Sequence, residues 1–150
     1  MSIVIHMTDL EKWIGHEFVS DWLLIDQERI DAFAQATGDF HWVHVDVGRA
    51  RAFRGFTIAH GLLTASLLPY FWYQMYEITG VREAFNYGLE DVRFTAMVPV
   101  DSKLRLRLNI LDISSRKDGK IVRQGLSFER EGTPKPVCVG VSLLAVFPET

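Results

Sequence analysis

The segment IAHGLLTASLLPYFWYQM, residues 58–75, is apolar on nearly every side when wound as a helix. Such a helix has to be covered all round, either by lipid or by the remainder of its own fold. A membrane span needs about 20 apolar residues with few interruptions. This run is shorter and holds His60, Thr64, Ser66, Pro69 and Gln74. The segment is therefore expected to be the buried helix of a domain that does not enter a membrane, and other parts of the chain must wrap it.

The material for wrapping follows Gly80, where the period changes from helical to alternating. DVRFTAMV puts Val92, Phe94, Ala96 and Val98 on one face, and KLRLRLNILD sets Leu104, Leu106, Leu108 and Ile110 against Arg105, Arg107 and Asn109. The second pattern is that of a strand with one wet face, which leaves room for a partner subunit. RKDGK carries a turn signal, so IVRQGLSFER pairs back as a hairpin with Leu126 and Phe128 inward. VCVGVSLLAVF is nearly continuously apolar and suits a central strand. One buried helix followed by long antiparallel strands gives an α+β domain in which the sheet curls around the helix.

Upstream, HEFVSDWLLI, residues 16–25, has Phe18, Trp22 and Leu24 on one parity and reads as a first strand. A helix over 26–39 follows, capped by Asp26, striped by Ile30, Phe33 and Ala34, and ended by Gly38. A short helix capped by Asp46 covers 46–53. At 150 residues the chain fits one domain, residues 1–150, with a real core. Apolar residues make up 48% and charged residues 23%, which excludes a disordered chain, and a net charge of −3 argues against a general nucleic-acid binder. The single cysteine, Cys138, excludes an internal disulfide and a cysteine-based zinc cage, and lies in an apolar run as an inert core residue. MSIVIHMTDLEKW is too polar for a secretory signal, so a cytoplasmic protein is expected.

The stretch TGDFHWVHVD, residues 37–46, crowds Asp39, His41, His44 and Asp46 among apolar side chains. Asp39 and His44 lie five apart across a turn after a helix end. There a carboxylate and an imidazole can share one water, remove a proton from it and supply one elsewhere. Phe40, Trp42 and Val43 would thin the surrounding water and move both pKa values toward neutrality. Gly61 begins the buried helix, where its N–H is unpaired and a ligand oxygen can come close to bare backbone. A carbonyl gaining negative charge would be stabilised there. His60 reads as a structural residue that caps the helix start or bonds backbone. A metal site built from Asp39, His41, His44, His60 and Asp46 matches no known spacing, so no metal is expected. A purely structural reading, with Asp39 capping a turn and His44 as a satisfied core histidine, remains open on the residues alone.

ATGDFHWVHVD followed by GFTIAHGLLTASLLP resembles the MaoC-like dehydratases, which include the (R)-specific enoyl-CoA hydratases, and most of all their nodulation protein N-like branch. The resemblance covers nearly the whole chain. It implies a hot-dog fold, a long central helix wrapped by an antiparallel sheet and dimerised through the sheets. It implies hydration of a trans-2-enoyl-CoA to the (R)-3-hydroxyacyl-CoA, or the reverse. Coenzyme A is then part of the substrate, and no separate cofactor is expected. The family's catalytic aspartate and histidine match Asp39 and His44, and its oxyanion donor matches Gly61.

The chain also departs from the family pattern. Many members read Asp-x-Asn-Pro-x-His, whereas this chain has His41 and Trp42 in place of the amide and the proline. The resemblance implies that His41 supports the loop as the amide does elsewhere. Some hydratases carry a serine near the end of the central helix, where this chain reads Leu68-Pro69-Tyr70; Ser66 is the nearby hydroxyl that could touch substrate. Arg49, Arg51 and Arg54 could meet coenzyme A phosphates or simply form a solvated face. The alternative function is a non-catalytic hot-dog module that binds an acyl thioester or serves in a dehydratase complex. A thioesterase would use a carboxylate on the central helix, and no Asp or Glu lies between Ile58 and Tyr76.

Overall fold

The computed structural model describes residues 2–149. The chain opens with β1 (Ile3–His6) and a 3-10 turn over Met7–Trp13. Two short strands follow, β2 (Glu17–Val19) and β3 (Leu23–Ile25), where the sequence suggested one. Both pair antiparallel with β6 (Ser102–Arg116). Ser20 divides them: its hydroxyl accepts the Leu106 N–H at 2.9 Å and donates to the Asp21 carbonyl at 2.9 Å. The side chain thus takes a ladder bond, and the parity resets. Phe18 and Ile25 are buried, whereas Trp22 and Leu24 are exposed.

Asp26 caps α1 (Gln27–Thr37) by accepting the Arg29 N–H at 2.9 Å, and Gly38 ends the helix at φ +79°. The buried face carries Ile30 and Ala34. After one short turn, α2 (Trp42–Val45), Asp46 caps α3 (Val47–Arg54) through the Arg49 N–H at 2.9 Å.

The central helix comes in two pieces, α4 (Gly61–Ser66) and α5 (Leu68–Met75). The break has a covalent cause. Pro69 has no N–H to offer the carbonyl of Ala65 four residues back, and its ring crowds that turn. Just before it, the Leu67 N–H is shared between the carbonyls of Leu63 and Thr64, both at 3.2 Å. Leu63, Leu67, Leu68, Phe71 and Met75 face the core. Burial all round, as the sequence suggested, does not hold: Leu62 is 66% exposed and Tyr73 70%.

β4 (Tyr76–Thr79) pairs parallel with β1. β5 (Val81–Phe94), β7 (Gly119–Arg130) and β8 (Cys138–Pro148) complete the main antiparallel sheet, in the order β2-β6-β7-β8-β5. β8 is thus internal, as its apolar run required. β5 starts well before residue 91 and stops at Phe94 instead of running to Val98. The register against β8 shifts between Glu90 and Arg93, where Asp91 sits at φ +49°. That bulge turns Phe94 outward to 47% exposure.

β6 and β7 form the expected hairpin, with Lys117 and Asp118 in the turn and Arg116 opposite Gly119. Leu104, Leu106, Leu108 and Ile110 are fully buried on the face that meets α5. On the other face Arg105 and Arg107 form ion pairs across neighbouring strands. Both reach Glu129, at 2.7 and 2.9 Å, and Arg107 also meets Glu17 at 2.5 Å. Cys138 is buried, and burial pushes its thiol up to about 11, so it stays protonated and inert. No helix among the described residues is long and apolar enough to cross a membrane.

Candidate active site

The end of α1 presents Asp39. Gly38 turns the chain out of the helix, and Asp39 Oδ1 then accepts the His41 N–H at 3.3 Å. The carboxyl group is exposed, so the water around it is not thinned as the neighbouring apolar residues suggested; Phe40 points outward at 52% exposure.

His44 lies on α2 and is partly buried. Its Nδ1 meets the Ile58 carbonyl at 2.7 Å. A carbonyl only accepts, so Nδ1 carries the proton and Nε2 keeps the lone pair. Burial holds the His44 pKa below that of an ordinary imidazole, helped by the nearby His60 and opposed by the Ile58 bond and the Asp39 carboxylate. His44 is therefore neutral at pH 7, with a defined acceptor nitrogen.

His60 is 2% exposed, and its Nε2 donates to the backbone carbonyl of Asp39 at 3.0 Å. The ring stacks on His44, centroids 3.8 Å apart at 24°, and meets Phe33 at 4.9 Å. His60 thus ties the Asp39 loop to the helix start through backbone and forms a wall behind His44. It caps no helical N–H. Asp39, His44 and His60 each bring a polar atom within 4.8 Å of the others. Two imidazoles and a carboxylate could in type hold a metal. One nitrogen of each ring is already committed to a backbone carbonyl, Nδ1 of His44 to Ile58 and Nε2 of His60 to Asp39.

Gly61, the first residue of α4, lines a cavity of about 450 Å³ together with His44, Ile58, Thr64, Phe94 and Val98. Its N–H lies at a helix position without an intrahelical acceptor. A Cβ there would sit 2.8 Å from the Phe94 ring, so a side chain at this position would force that ring to move. Asp39, His44 and Gly61 are thus drawn to one region of the fold. Ser66 is not. Its hydroxyl donates to the Leu63 carbonyl at 2.7 Å, and it faces a second cavity of about 650 Å³ on the other flank of α4, beside Leu62, Pro69, Tyr87 and Leu89. The His41 side chain is exposed and stacks near Trp42 at 5.8 Å; it makes no hydrogen bond among the described residues that would support the loop.

The amide that does support the loop is Gln27, which sequence reasoning passed over. Its Nε2 donates to the His44 carbonyl at 2.7 Å and to Asp31 at 2.9 Å, and its Oε1 accepts the buried Thr57 hydroxyl at 2.6 Å. A polar residue in the first turn of an amphipathic helix carries no signal that sets it apart. Arg49 stacks on Trp42 at 4.2 Å and Arg54 on Phe53 at 5.2 Å, on the outer side of the same loop.

This geometry can hold a water between a carboxylate and a neutral imidazole, next to a free backbone donor. The chain as a whole is similar to known proteins. The MaoC like domain model matches residues 9–130. The chain is 45% identical over 127 residues to 3-hydroxyacyl-thioester dehydratase Z of Mycobacterium tuberculosis, covering 83% of this chain and 84% of that protein. It is 38% identical over 120 residues to nodulation protein N of Rhizobium leguminosarum bv. viciae, covering 77% and 74%. Among solved structures, an (R)-hydratase of Pseudomonas aeruginosa in unliganded form superposes with a TM-score of 0.75 at 23% identity, covering 91% of this chain and 83% of that one. The chain belongs to the MaoC-like dehydratase family, and its fold is the hot-dog fold.

Proposed function

We propose that this protein is an (R)-specific enoyl-CoA hydratase, adding water across a trans-2-enoyl-CoA and catalysing the reverse dehydration. A hydro-lyase reaction on an acyl thioester is the activity named for its dehydratase relative. The observation that carries the reading is the His44–Ile58 bond, which leaves Nε2 as the acceptor of a ring that lies near Asp39 and lines the Gly61 cavity.

In this scheme one water bridges the Asp39 carboxylate and His44 Nε2. Polar atoms up to 4.8 Å apart are spanned by one water making two bonds of about 2.8 Å. His44 takes a proton from that water as its oxygen bonds to C3. The C2–C3 π pair moves toward the thioester, and the carbonyl oxygen gains negative charge facing the Gly61 N–H. The imidazolium, steadied by Asp39, then returns its proton to C2 on the same face. Protons and charge balance, and both side chains finish as they began. Assigning the base to His44 goes beyond what the residue types alone allowed.

The substrate hydrocarbon and the coenzyme A tail are further parts of the proposal, as is a second copy of the chain. Among the described residues β5 pairs only with β8, so its other edge is open there, and Phe85, Tyr87 and Leu89 on this strand are more than half exposed. A long apolar open edge ordinarily pairs with something, and a symmetric copy offers a matching strand. The function is tested by following loss of the conjugated enoyl thioester with trans-2-enoyl-CoAs of increasing chain length. Turnover to the (R)-alcohol is expected. Thioester binding without turnover would point instead to the passive binding module.

A further inference from the structure

The cavity that holds His44 and Gly61 also holds a hydroxyl with nothing to bond. Thr64 is 1% exposed, and its Oγ1 has no hydrogen-bond partner. A helical threonine ordinarily satisfies its hydroxyl by bonding a carbonyl three or four residues back. Here the carbonyl of His60, four back, already accepts two N–H groups, from Leu63 at 3.1 Å and from Thr64 itself at 3.3 Å. Both lone pairs of that oxygen are occupied. Elsewhere the lining is mainly apolar, and its other hydroxyl, on Thr95, is committed to the Pro136 carbonyl at 2.6 Å. Thr64 Oγ1 is therefore a buried donor without a partner among the described residues, on a residue that lines the cavity.

Its place on the helix matters. Thr64 is three residues after Gly61, on the same flank of α4, and both line this cavity, whereas Leu62, Ala65, Ser66 and Pro69 line the other. Helical side chains lean toward the N-terminus, over the turn before their own Cα. Thr64 thus stands one turn after Gly61 on the flank of α4 that lines this cavity.

We infer that the Thr64 hydroxyl is a second donor to the thioester carbonyl oxygen, acting beside the Gly61 N–H. This rests on the hydratase reading above. A hydroxyl that finds its partner only when substrate arrives binds more strongly as that oxygen gains charge, so its effect falls on kcat more than on KM.

The test uses Thr64→Val, which keeps the shape and removes the donor, with Thr64→Ser as the hydroxyl-retaining variant and Thr64→Ala as a second deletion. Each is assayed with crotonyl-CoA and for thermal unfolding. Thr64→Val is expected to lower kcat by about 10²-fold with KM changed only a few-fold. Thr64→Ser recovers most of the loss. The Tm of Thr64→Val stays level or rises, because an unpaired buried hydroxyl has been removed. Full activity in both Thr64→Val and Thr64→Ala would overturn the inference and leave the hydratase reading standing, as would a loss of activity that merely follows a loss of Tm. If the unmodified protein turns over no enoyl thioester, the hydratase reading itself fails. Crotonyl-CoA affinity then decides: a few-fold weakening in Thr64→Val that Thr64→Ser restores supports the contact, and equal affinity overturns it.

Discussion

His44 donates from Nδ1 to the carbonyl of Ile58, 2.7 Å away. This bond joins the α2 turn to the segment leading into the central helix, and it fixes which ring nitrogen remains an acceptor. The proposed chemistry depends on that choice of tautomer.

The first prediction concerns pH. Burial depresses the His44 pKa below its usual 6.5. The base is then neutral over a wider acidic range, so the acid limb of the kcat/KM profile should lie below pH 6.5. The same shift carries a stability sign. The unfolded chain binds this proton more readily than the folded one, so the contribution is full above pH 6.5 and is lost as pH falls toward the depressed value. Urea midpoints compared between pH 7.5 and pH 5.5 check this. The unmodified protein should lose more than His44→Gln does.

Gln27 is expected to matter although it is remote from the reacting atoms. Gln27→Leu removes the bond to the His44 carbonyl and leaves the Thr57 hydroxyl, 2% exposed, without its acceptor. Stability should fall by about 1–3 kcal/mol, measured by urea unfolding. kcat should fall about tenfold or more because the loop carrying His44 loosens, while the pH limb stays near its place. Gln27→Glu, which keeps an acceptor for Thr57, should recover part of the stability.

At Gly61 an added methyl meets the Phe94 ring, 2.8 Å from its nearest carbon. That ring is 47% exposed and can swing aside. Gly61→Ala should therefore remain folded by circular dichroism and lose activity, because it keeps the N–H but its methyl obstructs the close approach of the thioester oxygen to the backbone. Coupling Gly61→Ala with Phe94→Ala would relieve the crowding. Restored activity in the pair would assign the loss to the Phe94 contact instead.

Tyr87→Lys places a charge in the middle of the open edge of β5, where Tyr87 is 55% exposed. If a second copy covers this edge, the variant should shift toward monomer in light scattering after size exclusion. An unchanged mass would move the interface elsewhere.

Much of the fold could be read from the sequence, for physical reasons that differ by element. Asp26, Gly38 and Asp46 do in the structure what their side chains and backbone freedom suggest, because capping is a local bond. The alternation of Leu104 to Ile110 reports directly which face is wet. The misreadings lie where a tertiary bond overrides a local pattern. Ser20 takes the Leu106 amide and divides the first strand, and the bulge at Asp91 turns Phe94 outward. The full extent of β5 was hidden because Phe85, Tyr87 and Leu89 are exposed, so their apolar pattern does not report this chain's core. Within the candidate site, Asp39, His44 and Gly61 stand out in the sequence by residue type and spacing. Gln27 does not, since its partners are a backbone carbonyl and a threonine 30 residues away.

The most direct measurement is hydration of crotonyl-CoA by the unmodified protein, by Asp39→Asn and by His44→Ala, with the handedness of the alcohol determined. The account predicts (R)-3-hydroxybutyryl-CoA from the unmodified protein and a loss of at least about 10²-fold in each folded variant. Undiminished turnover in either variant, or the (S) alcohol as product, would contradict it.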